Sequence, residues 1–233
     1  MYEEKIIPPK KAMPQAQDGT LRKFALRVPE VIYQCSGIIV FGKRIKSLVF
    51  STDLSIIKNV NADAIIAVYP FTPQPIITQA LLLAADIPVF AGVGGGLTKG
   101  QRVVNLAMFA EMQGATGVVL NAPTANAAVQ HVAETIDIPV VVTVARADTD
   151  FEARLQAGAN IFNVSAAAET PAIVRSIRER YPDVPIIATG GPTDESILET
   201  IQAGANAITW TPPSNGEIFR DIMAAYRDNK PHP

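Results

Sequence analysis

Two kinds of hydrophobic pattern alternate along the chain. Short runs rich in Val, Ile and Ala, bounded by turn residues, are typical of strands that are buried on both faces. Longer segments with apolar residues three or four positions apart indicate helices. The strands are predicted at about 44–51, 63–69, 88–93, 117–121, 139–145, 160–165, 185–190 and 206–211. The helices are predicted at about 53–60, 73–84, 98–112, 124–135, 149–157, 168–180, 194–203 and 215–227.

Two short phrases recur at the joints between these segments. The phrase Asp-x-Pro followed by an apolar run begins at Asp86, Asp137 and Asp183, and "QAGAN" begins at Gln156 and Gln202. A glycine after a helical segment favours a helix C-cap, because it adopts left-handed backbone angles without a Cβ clash. The residue before proline avoids helical angles, so Asp-x-Pro favours an extended run. Both phrases therefore predict joints between a helix and a following strand.

Eight strands alternating with eight helices predict an α/β fold, a closed (β/α)8 TIM barrel, in a single domain over residues 1–233. An open doubly wound sheet is the alternative. Residues 36–233 would form the barrel and a hairpin around Gly42-Lys43, and residues 1–35 an N-terminal arm. The arm is expected to cover the barrel bottom or contact a second subunit, with a disordered tail as the alternative for residues 1–18. Capping boxes are predicted at Thr149–Glu152 and Ser214–Glu217.

Bulk composition excludes several classes of protein. The formal net charge is −2, which gives no support to nucleic acid or anionic membranes as partners. No apolar run is as long as the roughly 18–20 residues of a membrane span. The single cysteine, Cys35, has no partner for an internal disulfide, and we expect it to be neither catalytic nor disulfide-bonded, on the side away from the strand C-termini. A free thiol and a charged, proline-bearing start lead us to expect a cytoplasmic protein.

Candidate catalytic groups are few at the predicted strand ends, where TIM barrels place their active sites. The chain has two histidines, and no His, Asp or Glu cluster has metal-ligand spacing, so we expect no metal. Asp53 and Asp148 are the candidate acids or bases, with a helix-start role as the alternative. Arg146 is the candidate charge stabiliser, because a guanidinium binds oxyanions through two hydrogen bonds; a surface ion pair is its alternative.

The glycine pair Gly190-Gly191 ends the seventh strand directly before a helix. Backbone N–H groups exposed there bind phosphate readily, and the helix dipole adds to the attraction. The segment "IIATGGPTDESILETIQAGANAI" resembles the phosphate-binding TIM-barrel superfamily, which includes sugar-phosphate epimerases and aldolases, thiamin-phosphate synthases and FMN-dependent barrels. The resemblance implies a phosphate site at Gly190 and Gly191. Where those families have a Gly-Ser turn after strand eight, this chain has Pro212-Pro213, so the remaining donors are expected at Ser214, Asn215 and Gly216. A simple tight turn is the alternative.

Further substrate-binding residues are predicted around the barrel mouth. The loop "GVGGGLTKG" is a second anion nest with Lys99 in reach, or else a mobile lid or flexible loop. Polar side chains are expected to line the mouth, and aromatic ones to form an apolar wall. The residues assigned to substrate binding are Gly94, Gly95, Lys99, Asn121, Asn163, Ser165 and Trp210, with Ser51, Thr143, Thr189, Thr209, Thr211, Tyr69 and Phe71 as further lining residues.

The function expected from this pattern is an enzyme acting on a small phosphorylated or anionic metabolite by isomerase- or lyase-type proton transfer, without a cofactor and as a homo-oligomer. One alternative is an FMN-dependent oxidoreductase that resembles IMP dehydrogenase or nitronate monooxygenase, in which case the purified protein would be yellow. The other alternative is a non-catalytic barrel that binds a ligand or serves as a structural subunit. The thin supply of acids and bases at the strand ends favours this last class.

Overall fold

The computed structural model describes residues 25–232, together with Gln15 and Gly19. A two-stranded antiparallel sheet precedes a closed, all-parallel barrel in which each strand pairs with the next and the last pairs with the first. The predicted TIM barrel is therefore confirmed. The hairpin strands are β1 (Ile38–Val40) and β2 (Lys43–Ile45), and the barrel strands are β3 (Ser47–Phe50), β4 (Ala64–Ala67), β5 (Val89–Gly94), β6 (Gly117–Leu120), β7 (Val140–Val144), β8 (Ile161–Val164), β9 (Ile186–Thr189) and β10 (Ala207–Trp210).

A helix follows every barrel strand and covers its outer face. The helices are α1 (Leu54–Lys58), α2 (Pro75–Ala84), α3 (Gln101–Met112), α4 (Asn126–Ala133), α5 (Phe151–Gln156), α6 (Thr170–Arg180), α7 (Asp194–Gln202) and α8 (Asn215–Arg227). The capping box at Ser214–Glu217 is confirmed. The one predicted at Thr149–Glu152 is wrong, because Asp150 caps α5 and the Thr149 hydroxyl donates to the Arg146 carbonyl.

The hairpin closes the N-terminal end of the barrel. Phe41 and Gly42 turn with φ of 47° and 77°, so the turn lies one residue before the predicted Gly42-Lys43. Ile38, Val40 and Ile45 are buried against the residues that fill the barrel interior. They form a plug that leaves ligand access to the opposite end of the strands.

The described part of the N-terminal arm packs along the outside of the barrel. A 3-10 helix at Glu30–Gln34 lies against α7, and Ile32 and Cys35 are buried. Cys35 is a free thiol beside the start of the hairpin, at the end of the barrel where the strands begin, as predicted. Burial raises the pKa of this thiol to about 12. The tail predicted over residues 1–18 lies outside the described residues, apart from Gln15.

The repeated phrases have the same local role in both copies. Gly158 and Gly204 have φ of 99° and 114°, which explains glycine after α5 and α7. Two residues later an asparagine reaches sideways: Asn160 accepts a hydrogen bond from the Val140 amide (2.8 Å) and Asn206 from the Ile186 amide (2.9 Å). Each asparagine thus accepts a hydrogen bond from a backbone amide at the start of the neighbouring strand, which would otherwise lack a partner there.

The barrel has two separate apolar layers because successive strand residues point to opposite faces. Leu48, Ile66, Phe90, Val141 and Ile187 belong to the cluster inside the barrel. Their chain neighbours belong to a larger cluster between the strands and the helices. Strand residues two positions beyond the inner cluster therefore line the open C-terminal mouth.

Candidate functional site

Four polar side chains form one half of the mouth. They lie on four consecutive strands, β7 to β10, each two residues beyond a member of the inner cluster. Thr143 pairs with Asn163 across β7 and β8, and Thr189 pairs with Thr209 across β9 and β10. This polar quartet (Thr143, Asn163, Thr189 and Thr209) follows from the strand register, and all four residues were predicted from the sequence to line the mouth.

Two atoms of the quartet are buried without a hydrogen-bond partner. Asn163 is 8% exposed and Thr209 is 7% exposed. Asn163 donates weakly to the Thr143 hydroxyl (3.3 Å), but its Oδ1 atom and the Oγ1 atom of Thr209 have no partner. Buried polar atoms are rarely left unsatisfied, because the lost hydration costs about 1–3 kcal/mol for each. The polar half of the mouth is therefore suited to a ligand that offers both donors and acceptors.

The opposite half of the mouth is apolar. Phe50, Val68, Tyr69 and Pro70, at the ends of β3 and β4, line a wide cavity of about 560 Å³, which we call the mouth cavity. Asn121, Ser51, Thr211 and Ser214 lie on its rim. A carbon skeleton would contact this aromatic and aliphatic side. The quartet residues line neither this cavity nor the one beside it, and the polar groups of the lining are those of the rim and of Asp53.

A second cavity adjoins the first and extends under the Gly-rich loop. This loop cavity has a volume of about 270 Å³ and shares Val68, Tyr69, Pro70 and Asn121 with the mouth cavity. Its other walls are the segments 71–73 and 94–98. Phe71 belongs to this wall, so two of the three aromatic residues predicted for an apolar wall, Tyr69 and Phe71, lie where a ligand would contact them.

Asp53 lies on the mouth-cavity wall and caps α1. Its Oδ1 atom accepts hydrogen bonds from the Ser55 amide (2.8 Å) and hydroxyl (2.7 Å), and its Oδ2 atom accepts one from Asn215 (2.5 Å). The Ser55 hydroxyl above all, and then the Ile56 and Ser55 amides, keep the pKa of this carboxyl below its usual range, against the effect of burial. Asp53 is therefore a carboxylate at neutral pH, capable of accepting a proton but poorly suited to donating one.

Arg146 and Asp148 pair with each other beyond the end of β7. Both side chains are mostly exposed, at 77% and 66%, and they form a two-pronged ion pair of 2.6 and 2.8 Å. The hydrogen bond from Arg146 lowers the pKa of Asp148, and the same contact raises the pKa of Arg146. Neither residue lines the mouth or loop cavity. The surface ion pair named as the alternative for Arg146 is what the structure contains.

Gly190 and Gly191 each have a local structural reason to be glycine. A Cβ on Gly190 would lie 2.7 Å from Ile197 and 2.8 Å from Ile208, so the glycine allows α7 and β10 to pack closely. Gly191 has a φ of +83°. Neither residue lines the mouth or loop cavity, and the phosphate site assigned to them stays a prediction.

The helix starts beside Gly190 and Gly191 are already capped by the chain itself. Thr193 and Ser196 form a capping box at α7. At α8 the Ser214 amide and hydroxyl both donate to the Glu217 carboxylate (2.7 Å each). Asn215 turns its side chain toward Asp53 and Ser55. The donors expected at Ser214 are thus partly used, and the carboxylate places negative charge beside Asn215 and Gly216.

The Gly-rich loop is a defined turn. The Gly95 amide donates to the Thr98 carbonyl (3.2 Å), which closes a turn with Leu97 at its exposed tip. Gly94 packs against Val103, and a Cβ on Gly95 would lie 2.4 Å from Asn121. Lys99 follows the turn, is exposed, and lies beside a third, smaller cavity at the starts of α3 and α4. Gly94, Gly95 and Asn121, predicted for substrate binding, therefore meet at the loop cavity.

Trp210 and Ser165, both predicted to bind substrate, lie outside the mouth and loop cavities. Trp210 packs against the outer cluster between strands and helices, because it lies one residue past Thr209 and points the other way. The assignment of Trp210 to an apolar wall of the mouth is therefore wrong. Ser165 is exposed just beyond β8, on the same face as Asn163. Phe50, Val68 and Thr124 were missed; the first two follow the alternation of inner residues, which a fixed strand register would have revealed.

Residues 25–232 contain neither a cluster of metal ligands nor a membrane-spanning helix. No group of three or more His, Cys, Asp or Glu side chains in this range is arranged to hold a metal ion. None of the helices in the same range is long and apolar enough to cross a lipid bilayer.

Comparison with known proteins shows the fold and leaves the reaction open. No protein-family model and no curated protein matches the sequence. Among solved structures, phosphonopyruvate hydrolase in complex with oxalate and Mg²⁺ is similar, with a TM-score of 0.60, 14% identity, and coverage of 80% of this chain and 84% of that one. A second is 2,3-dimethylmalate lyase of the PEP mutase/isocitrate lyase superfamily, with a TM-score of 0.61, 12% identity, and coverage of 91% and 88%.

A third similar structure is the aldolase QR15, with a TM-score of 0.55, 17% identity, and coverage of 78% of this chain and 95% of that one. These neighbours are TIM-barrel enzymes with different names and different reactions. At such low identity the likeness establishes a shared barrel, and the chemistry of this chain has to be argued from its own residues.

Proposed function

We propose that this chain is a TIM-barrel enzyme of lyase or isomerase type that acts on a small anionic molecule at the mouth of the barrel. The observation that carries the proposal is the mouth cavity of about 560 Å³ at the C-terminal ends of the strands, with the Asp53 carboxylate in its lining. Two unpartnered polar atoms, Asn163 Oδ1 and Thr209 Oγ1, are buried at the same end of the barrel. This is the end where barrel enzymes bind their substrates. The enzyme neighbours named above support the same general class.

The division of the mouth suggests the kind of ligand. Asn163 Oδ1 is an acceptor and needs an O–H or N–H group, whereas the Thr209 hydroxyl can donate to an oxyanion. The apolar half, with Phe50 and Val68, fits a short carbon skeleton. A small hydroxy acid, or a comparable phosphorylated or phosphonylated compound, offers all three features.

Asp53 is the candidate base of such a reaction. It is the one carboxylate among the residues that line the mouth and loop cavities, and its lowered pKa keeps it ionised. A proton taken from carbon or from a hydroxyl group of the ligand would be transferred to an Asp53 carboxylate oxygen. The roles assigned to Arg146 and Asp148 stay proposals that require their mutual ion pair to open.

Ligand binding tests the proposal directly. The panel contains phosphonopyruvate, 2,3-dimethylmalate and oxalate, each with and without Mg²⁺, and thermal shift and turnover are measured together. Asn163→Leu, which keeps the number and branching of the side-chain heavy atoms, should weaken binding of any ligand found by at least about tenfold. The matched control is Asn105→Leu on the exposed face of α3. A ligand that binds Asn163→Leu as tightly as the unaltered protein would contradict the proposal.

A non-catalytic binding barrel is the second candidate. The observation that favours it is that Asp53 is the only Asp, Glu, His, Lys, Arg or Cys lining the mouth and loop cavities. Asp53→Asn separates the two functions, since it keeps an oxygen for the α1 cap. An enzyme should lose turnover at least about a hundredfold and retain binding within a few fold. Binding without turnover in the unaltered protein would establish the non-catalytic alternative.

A further inference from the structure

A third cavity lies between the first turns of α3 and α4. It has a volume of about 170 Å³, and we call it the helix-start cavity. Lys99 and Gly100 form one side, at the start of α3, and Thr124 and Ala125 form the other, at the start of α4. The Gly95–Thr98 turn forms its edge toward the loop cavity. The cavity is large enough for a phosphate group.

Both helices begin without a side-chain cap. Gly100 precedes the twelve-residue helix α3, and Ala125 precedes the eight-residue helix α4; neither residue has a side chain that accepts from the first turn. The Val103 and Ala128 amides donate to the Gly100 and Ala125 carbonyls (3.0 and 2.9 Å), so the amides before them are the ones left for a ligand. The helix dipole makes that end electropositive. Two such helix starts face one cavity here.

Thr124 supplies an independent sign that a polar ligand belongs in this cavity. It is 6% exposed, and its Oγ1 atom has no hydrogen-bond partner. Its backbone is fully used: the amide donates to the Asn121 carbonyl (3.0 Å), and the carbonyl accepts from Arg154. The hydroxyl is thus the one polar group of Thr124 that is left to interact with a ligand.

The one charge in the lining of the helix-start cavity is positive. Asp150 lines a separate, neighbouring cavity that shares Thr124 and Ala125. Lys99 is the only charged residue that lines the helix-start cavity, and no salt bridge of Lys99 occurs among residues 25–232. Arg154 stands behind the start of α4, where its guanidinium donates to the Ala122 carbonyl (2.9 Å) and to Asn126 Oδ1 (2.8 Å). No carboxylate lines this cavity, in contrast to the mouth cavity with Asp53.

We propose that the helix-start cavity is an oxyanion site that binds a phosphate-sized group through Lys99, the Thr124 hydroxyl and the first-turn amides of α3 and α4. The loop cavity shares Gly95, Gly96, Thr98 and Pro123 with it and leads to the mouth. In placing the rest of the same ligand at the mouth, the inference rests on the proposed function. The anion itself would be bound whether or not the protein catalyses a reaction.

Inorganic phosphate is the probe, because it fits the helix-start cavity, and the Lys99 and Thr124 variants report whether it binds there. Its affinity is measured by isothermal titration at low ionic strength, with oxalate as a carboxylate comparison. Lys99→Met should weaken phosphate binding by at least about tenfold, and Thr124→Val by about threefold to tenfold. Lys43→Met, an exposed lysine of the hairpin at the other end of the barrel, is the matched control and should change the affinity less than twofold.

The outcomes separate the proposals from each other. Thr124→Val removes a hydroxyl without a partner, so its melting temperature should not fall; if it fails to fold, exposed Lys99→Met still decides. Absence of phosphate and oxalate binding, or equal loss in Lys99→Met and Lys43→Met, would overturn the site. Tighter binding of oxalate than of phosphate, still dependent on Lys99, would support the site with a carboxylate as its anion. Phosphate binding without turnover of any metabolite would refute the proposed enzyme and leave the anion site standing.

Discussion

The helices that follow β9 and β10 begin differently from those that follow β5 and β6. Helices α7 and α8 start with capping boxes, at Thr193 and Ser214, and carry acidic residues in their first turns. Helices α3 and α4 start at Gly100 and Ala125, without caps and without first-turn acids. Capping by the chain itself uses first-turn donors, and acidic residues there repel an anion. Because the starts of α3 and α4 are uncapped and lie beside Lys99, their free backbone amides and the positive potential of the helix ends remain available to a ligand.

This difference changes how strand-end glycines are interpreted. A glycine pair at a strand end is compatible with an anion site and equally with close packing, as Gly190 demonstrates against Ile197 and Ile208. The state of the following helix start distinguishes the two explanations. Three substitutions and one change of pH test whether the two pairs of helix starts differ in this way.

Gly190→Ala should destabilise the fold by about 2 kcal/mol, because its Cβ would overlap the buried side chains of Ile197 and Ile208. Gly96→Ala in the other loop is the matched variant. It has a φ of +64° but nothing within 4 Å of a Cβ, so only about 1 kcal/mol of backbone strain is expected. Chemical denaturation measures both. A smaller loss for Gly190→Ala than for Gly96→Ala would show that packing does not explain the glycine pair.

Ser214→Ala should cost about 1 kcal/mol of unfolding free energy, because it removes the cap of α8 and the hydroxyl partner of Glu217. Ser165→Ala, an exposed serine beyond β8, serves as the control and should change stability by less than about 0.5 kcal/mol. Phosphate affinity should be unchanged in both variants. Weaker phosphate binding by Ser214→Ala would move the anion site to α8.

Ala125→Asp introduces into α4 the kind of cap that α7 and α8 already have. Ala125 has the extended backbone angles of an N-cap residue (φ −68°, ψ 146°), so the new carboxylate can accept from the first turn. Stability should rise by about 0.5–1 kcal/mol, while phosphate affinity falls at least about tenfold. A gain in stability with undiminished phosphate affinity would mean that the α4 amides do not contact the anion.

The start of α8 should respond to acid, and that of α4 should not. The hydrogen bond from the Ser214 hydroxyl, followed by that from its amide, lowers the pKa of Glu217 below its ordinary 4.5. The stabilisation is therefore present above pH 4.5 and is lost as the pH falls through the lower, folded-state value. Hydrogen exchange between about pH 6 and pH 3, corrected for intrinsic rates, should show first-turn protection of α8 decreasing relative to α4. Parallel behaviour of the two helices would contradict this.

The fold was predictable from the sequence because its determinants are local. Gly158 and Gly204 end helices with positive φ, and the asparagines two residues later bond the neighbouring strands, so each repeat encodes its own joint. The site was predictable only in part. Whether a strand residue faces the mouth depends on the register, which separates Thr209 from Trp210. Thr124 has no distinguishing pattern, since its importance comes from burial and from a missing hydrogen-bond partner.

The location of a bound anion distinguishes the starts of α3 and α4 from those of α7 and α8. Phosphate is titrated into the ¹⁵N-labelled protein, and amide chemical shifts are compared with those in sodium chloride of equal ionic strength. We expect saturable shifts concentrated at residues 99–103 and 124–128, the walls of the helix-start cavity. Shifts concentrated instead at residues 190–196 and 214–217 would contradict it and would locate the anion at Gly190 and Gly191.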